Sequence, residues 1–171
     1  KVLDGKDGPK TVEVKVTVID GGGRTLMPGL IDTHTHFTHA VPGAGVAGLE
    51  ATNWQKIGAM AGVAAKEHLM NGFTTVRDLG GATGPLRTAM EMAPVPLPRL
   101  NICGKALSQT GGHTDQRGPL DDRPVPDWPV TVGAMGVICD GVPELRKAAR
   151  EQFRTGADFL KLMANGGVSS P

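Results

Sequence analysis

The sequence predicts an α/β fold of parallel strands joined by crossover helices, and three observations carry that prediction. Short apolar runs alternate along the chain with stretches of helical period, in the order strand, helix, strand, helix, strand, helix, strand. The strand-like runs are apolar on both alternating faces, as strands covered on each side must be. Their carboxyl-terminal ends hold the chemically capable side chains, which is where sites gather in folds of this class.

The first run, TVEVKVTVID (11–20), alternates apolar with polar or charged residues and is expected to be a half-exposed strand, broken by Gly21, Gly22 and Gly23. LMPGLIDTHTHF (26–37) opens with a more buried strand and carries two of the chain's five histidines. Successive strand side chains point to opposite faces, so His34 and His36 share one side while Thr35 takes the other. From Trp54 to Asn71 the period changes. Trp54, Ile57, Ala61, Ala65 and Leu69 fall near one helical face, Thr52 and Gln55 form a candidate capping box, and Gly72 follows the end.

FTTVRDL (73–79) is short and β-branched, hence a strand; PLRTAMEM (85–92) is a short helix; LNICGKAL (100–107) is a third buried strand. Ser108 to Gly141 is expected to be irregular, and a loop of that length is usually functional or disordered. PELRKAAREQFRTG (143–156) resumes helix, with Leu145, Ala148, Ala149 and Phe153 on one side and Gly156 as its stop. FLKLMANGG (159–167) closes the series as a strand.

Composition narrows the function classes. A net charge of +1 over 171 residues lacks the basic excess of a nucleic-acid binder. No apolar run approaches the roughly 18 residues of a membrane helix, and no charged-then-apolar leader precedes the first strand. The expected setting is the cytoplasm, with neither nucleic acid nor membrane as partner. Cys103 lies in an apolar run and Cys139 beside Asp140, unlike settings that favour two ordinary thiols over a disulfide.

Lys161 stands between Phe159, Leu160, Leu162 and Met163 in what reads as an interior strand. Lysine is rarely fully buried without a partner, and burial disfavours its ammonium form. Such a group calls for a carboxylate partner or a chemical modification; a lysine at a strand edge with its head in water is the plain alternative.

Four segments, LMPGLIDTHTHF, GFTTVRDLGG, ALSQTGGHTD and GADFLKLMANGGVSSP, together resemble the amidohydrolase superfamily of metal-dependent (β/α)8-barrel hydrolases. Within it they are most similar to the imidazolonepropionase-related branch, which includes prolidases and other Xaa-amino-acid dipeptidases. The likeness runs from about residue 18 to the end. It implies that residues 26–171 are the first four β/α units, the first half of a TIM-type barrel, and that residues 1–25 are part of a small flanking β-sandwich. A whole barrel takes roughly 250 residues and eight strands. The chain is therefore expected to be part of a longer enzyme, with the family's two further histidines and its strand-eight Asp lying beyond Pro171.

The resemblance also implies roles. The family's HxH pair binds metal, which maps onto His34 and His36. A lysine of the fourth strand, N-carboxylated by carbon dioxide, bridges two divalent ions, which maps onto Lys161 and makes zinc the expected metal. Zinc takes imidazole nitrogens at about 2.0 to 2.1 Å, and a pair of ions roughly 3.5 to 4 Å apart generates hydroxide at neutral pH and polarises a carbonyl. A histidine at the place of His113 stabilises the tetrahedral oxyanion as the catalytic donor; a hydrogen bond within a Gly-rich turn is its plainer role. The implied activity is hydrolysis of the amide bond of a dipeptide or an N-acyl amino acid, a small-molecule substrate, by a homo-oligomer. Hydrolysis of an imidazolone-like cyclic amide, or deamination, shares these first-half motifs. A non-catalytic barrel-derived fragment or interaction protein is the alternative from another class.

Other features read more simply. GAGVAG (43–48) satisfies G-x-G-x-x-G but lacks the strand-to-helix turn of a dinucleotide site, so a flexible loop beside the substrate is expected. His39 is expected on that loop and solvated rather than extending the metal set, His68 near a helix end whose dipole favours a cation, and Arg77 with Asp78 as a strand-end ion pair rather than a support that positions a catalytic group.

Overall fold

The computed structural model describes residues 2–4, 8–10, 15–42, 48, 52–122, 124, 135–168 and 170. Near the amino terminus β1 (Val2–Asp4) pairs antiparallel with β2 (Gly8–Lys10). Residues 15–20 are exposed and join no ladder among the described residues, so the described half of the strand expected over 11–20 does not form. Val16, Val18 and Ile19 face solvent there, because an alternating pattern makes a strand only where a partner covers its apolar side. Residues 11–14 lie outside the described residues.

Two parallel sheets follow. The first has the order β3 (Leu30–Thr35), β4 (Phe73–Asp78), β5 (Arg99–Ile102). The second places β6 (Ala106–Ser108) between β7 (Gly136–Ile138) and β8 (Leu162–Met163). Three helices make the crossovers: α1 (Trp54–Met70), α2 (Gly84–Glu91) and α3 (Gly141–Arg154). Parallel strands need such crossovers, and their shared direction brings the carboxyl ends within each sheet to one side.

The single strand expected over 100–107 is two strands. Gly104 takes φ +69° between them, a left-handed conformation that glycine adopts without a Cβ penalty. A Cβ at Gly104 would lie 2.6 Å from the Gln152 side-chain oxygen, and that oxygen accepts the Lys105 N–H at 2.9 Å. The chain thus changes sheets at Gly104, pinned by a glutamine of α3. The long segment expected to be irregular contains β7, whose backbone pairs with β6 from Ala106↔Gly136 to Ser108↔Ile138.

Helix α1 forms where its period predicts. Ile57, Ala61 and Ala65 are buried, and the two alanines join Phe37, Val76, Ala82, Met90, Leu100 and Ile102 in the main core. Its cap differs from expectation: Asn53, not Thr52, is the N-cap, its side chain accepting the Gln55 N–H at 2.8 Å. Thr52 instead donates its hydroxyl to the Gly48 carbonyl at 2.7 Å. Asn precedes the helix in the geometry that an N-cap carbonyl needs, whereas Thr52 stands one residue too early. On α3, Ala148 and Gln152 are buried while Leu145 and Phe153 of the expected apolar side remain exposed. Cys103 and Cys139 are both buried free thiols. Among the described residues, no helix is long and apolar enough to cross a membrane.

Candidate functional site

The carboxyl end of β3 carries the two histidines as strand alternation requires. Thr35 is buried on one side, and on the other the rings of His34 and His36 stand 5.3 Å apart, edge to face. His36 Nδ1 lies 3.1 Å from the Gly80 carbonyl oxygen. A carbonyl only accepts, so Nδ1 carries the proton and Nε2 keeps its lone pair, the form in which imidazole binds a metal. Burial lowers the pKa of both rings, and the charge of Lys161 lowers each further; for His36 the Gly80 contact partly opposes this. Both imidazoles are therefore neutral donors at neutral pH.

Lys161 is half-buried and immediately precedes β8. Its carbonyl accepts the Leu107 N–H at 2.8 Å, which fixes its backbone against β6. Among the described residues its ammonium has no carboxylate within ion-pair distance.

Asp78 ends β4 and is fully buried. One oxygen accepts the Phe37 N–H at 2.7 Å; the other accepts those of Gly80 at 3.0 Å and Ala82 at 3.2 Å. Burial pushes its pKa up to about 6, although these three bonds oppose the rise. The expected ion pair with Arg77 does not form. Neighbouring strand residues point to opposite faces, and the Arg77 guanidinium lies over the Phe159 ring, 4.5 Å from its centroid.

His113 sits in the turn after β6. Its Nδ1 is 2.9 Å from the Ser170 hydroxyl, which in turn accepts the Gly167 N–H at 2.8 Å. Asp115 braces the same turn: it accepts the Gly111 N–H at 2.9 Å, and Arg117 binds both its carboxylate oxygens at 2.8 and 2.7 Å. Arg117 first, helped by the backbone donors, holds the Asp115 pKa down at about 2. The Asp-x-Arg spacing in TDQR was the available signal for this brace.

His39 is not solvated. It ends a short 3-10 turn, Phe37–His39, that folds its ring onto His36 at 5.0 Å and 20° between planes. Burial lowers its pKa to about 4, and its Nε2 has no hydrogen-bond partner among the described residues. His68 serves structure: Nδ1 is 3.0 Å from the Ala64 carbonyl, Nε2 is 3.6 Å from an Asp32 oxygen, and the ring meets Phe37 edge-on at 5.0 Å. Residues 43–47 of GAGVAG lie outside the described residues.

Among the described residues, no three His, Cys, Asp or Glu side chains converge to hold a metal ion. The donors brought together here are the two neutral imidazoles of His34 and His36. They suit a metal as part of a larger set, with Lys161 contributing oxygen only once carboxylated.

HxH at the end of one parallel strand, Asp at the end of the next, and Lys just before a later one is an ordered arrangement, and the model of the Amidohydrolase family matches residues 25–171. The chain belongs to the amidohydrolase family. Its parallel α/β architecture agrees with that of solved amidohydrolases. One solved amidohydrolase superposes with a TM-score of 0.84 at 43% identity, covering 95% of this chain and 40% of the other. A prolidase complexed with N-methylphosphonate-L-proline gives a TM-score of 0.83 at 38% identity, with 95% and 40% coverage. Ochratoxinase from Aspergillus niger is 38% identical over 160 residues, which are 85% of this chain and 32% of that protein. This amidohydrolase chain thus spans about a third of the curated relative it matches.

Proposed function

We propose that the chain supplies the first half of the barrel of a binuclear, metal-dependent amidohydrolase that cleaves the amide bond of dipeptides or N-acyl amino acids, in the manner of a prolidase. In this reading residues 26–171 are the first four β/α units, and residues 1–25 are part of a flanking β-sandwich. Membership of the amidohydrolase family and the prolidase likeness support the reaction class. The observation that carries the site is the contact of His36 Nδ1 with the Gly80 carbonyl, because it leaves Nε2 unprotonated beside His34 and in the field of Lys161.

His34 and His36 would hold zinc, and Lys161, once N-carboxylated, would add an oxygen ligand to the set. The chemistry supplied at that place is polarisation of the scissile carbonyl and a water made nucleophilic at neutral pH. The chain's own part is positioning and proton placement. The Ser170 oxygen accepts the Gly167 N–H with one lone pair, and its hydroxyl proton would be donated to His113 Nδ1. His113 then carries its proton on Nε2, and that N–H is the donor for an oxyanion developing on the substrate. A panel of Xaa-Pro dipeptides, other dipeptides and N-acyl amino acids, assayed with the complete protein before and after chelation, tests the reading. Metal-dependent release of an amino acid supports it; turnover insensitive to complete metal removal overturns it.

A further inference from the structure

We propose that Asp78 is a positioning residue for His36, fixing that imidazole's tautomer and direction through the backbone on both sides of the ring. The proposal rests on the reading of His36 as a metal ligand. Asp78 is too enclosed to touch substrate, being 0% exposed, and no cation pairs with it among the described residues, since Arg77 turns away onto Phe159. Its carboxylate does one visible thing: it gathers three backbone N–H groups. Two of those bonds bracket His36. The Phe37 N–H, 2.7 Å from one oxygen, belongs to the peptide that His36 itself begins. The Gly80 N–H, 3.0 Å from the other oxygen, belongs to the residue whose carbonyl accepts His36 Nδ1–H at 3.1 Å. One carboxylate therefore holds both the stem of the imidazole and the acceptor that selects its tautomer.

The surrounding bonds make this junction rigid. Leu79 N–H donates to the Thr35 carbonyl at 2.9 Å, and Gly81 N–H to that of Gly104 at 3.0 Å, so the turn after β4 is tied to the end of β3 and to the β5–β6 junction. Gly80 has φ +152°, and a Cβ there would lie 3.0 Å from the Met135 carbonyl oxygen and 3.7 Å from His36 Cε1. The tight approach there is to the Met135 carbonyl, and the His36 ring packs beside the turn at ordinary van der Waals distance. Only a carboxylate meets the demand at position 78. Three donors converge on two oxygens, whereas an asparagine would set an NH2 group, which cannot accept, against one of them. Partners that orient a metal-binding imidazole commonly change metal affinity by about 10- to 100-fold.

Two readouts on the complete protein decide the proposal. Zinc affinity, measured by chelator competition on Asp78→Asn shown to unfold cooperatively, should fall by about 10- to 100-fold relative to the unsubstituted protein. Unchanged affinity in the folded variant overturns the proposal. The second readout needs no Asp78 variant: 15N-histidine NMR of the metal-free protein, with the His36 signal assigned by its loss in His36→Gln, should show the Nδ1–H tautomer. An Nε2–H tautomer overturns the proposal whatever the variant does. Failure of the unsubstituted protein to bind zinc would instead overturn the metal reading, and the tautomer would then decide the Asp78 relation by itself.

Discussion

The Nδ1 atom of His113 stands 2.9 Å from the Ser170 hydroxyl, which joins the turn after β6 to the segment after β8. Two stretches far apart in sequence thereby share one polar junction, which orients the His113 ring. If that ring serves the oxyanion, it matters to the transition state more than to substrate binding. His113→Asn should lower kcat by about 10² to 10³ with a smaller change in KM. Ser170→Ala, which removes one neutral hydrogen bond, should cost roughly tenfold in kcat. Steady-state kinetics checks both, and an unchanged kcat in His113→Asn would return His113 to a role within its turn.

Gly167 is the third member of that junction. A Cβ there would lie 2.6 Å from His113 Cε1, too close to coexist with the present ring position. Gly167→Ala should therefore displace the ring and reduce kcat while the melting temperature stays nearly constant, because the site lies outside the cores around Phe37 and Leu107. Calorimetry alongside kinetics separates the two effects; loss of stability with full activity would contradict this placement.

Much of the scaffold was legible because its rules are local. Alternation along a strand puts His34 and His36 on one side, and the 3.6-residue period marks the face of Trp54, Ile57, Ala61, Ala65 and Leu69, of which Ile57, Ala61 and Ala65 are buried and Trp54, at the helix start, is exposed. The motif order pointed to the amidohydrolase family for the same reason: each motif is a short contiguous string. Asp78 could not be read in this way. Its partners are the backbone N–H groups of Phe37, Gly80 and Ala82, which any residue would offer, and only the meeting of two strand ends selects them. His39 was misplaced because the 3-10 turn that returns its ring to His36 has no periodic signature. The break at Gly104 was hidden inside an apolar run, its cause being a glutamine 48 positions on that fills the space a side chain would need.

Lys161 provides a chemical test. If it is a carbamate bridge, Lys161→Ala should lose metal and most activity, and added short carboxylates should restore part of both by filling the gap. Full metal loading with unchanged turnover in that variant would remove Lys161 from the site.

Asp115 makes the acid limb of stability predictable. Its pKa is held at about 2 in the folded chain against an ordinary 3.8, and its side chain is 4% exposed. A carboxylate with a depressed folded pKa stabilises the fold above its unfolded value, and that contribution is lost as pH falls through the folded one. The shift corresponds to about 2 kcal/mol, present above pH 3.8 and lost between there and pH 2. Asp115→Asn should lower stability at pH 7 by an amount of this order and flatten the decline across that window. Denaturant titrations at pH 7, 4 and 2.5 would check it; a variant with the parent's pH dependence would contradict the Arg117 brace.

Elemental analysis of the complete protein, purified without chelators, addresses the central claim most directly. The account predicts about two divalent ions per barrel, zinc foremost, with amide hydrolysis lost on their removal and recovered when zinc is returned. A protein that folds, carries no divalent metal and still hydrolyses dipeptides at an unchanged rate would contradict it.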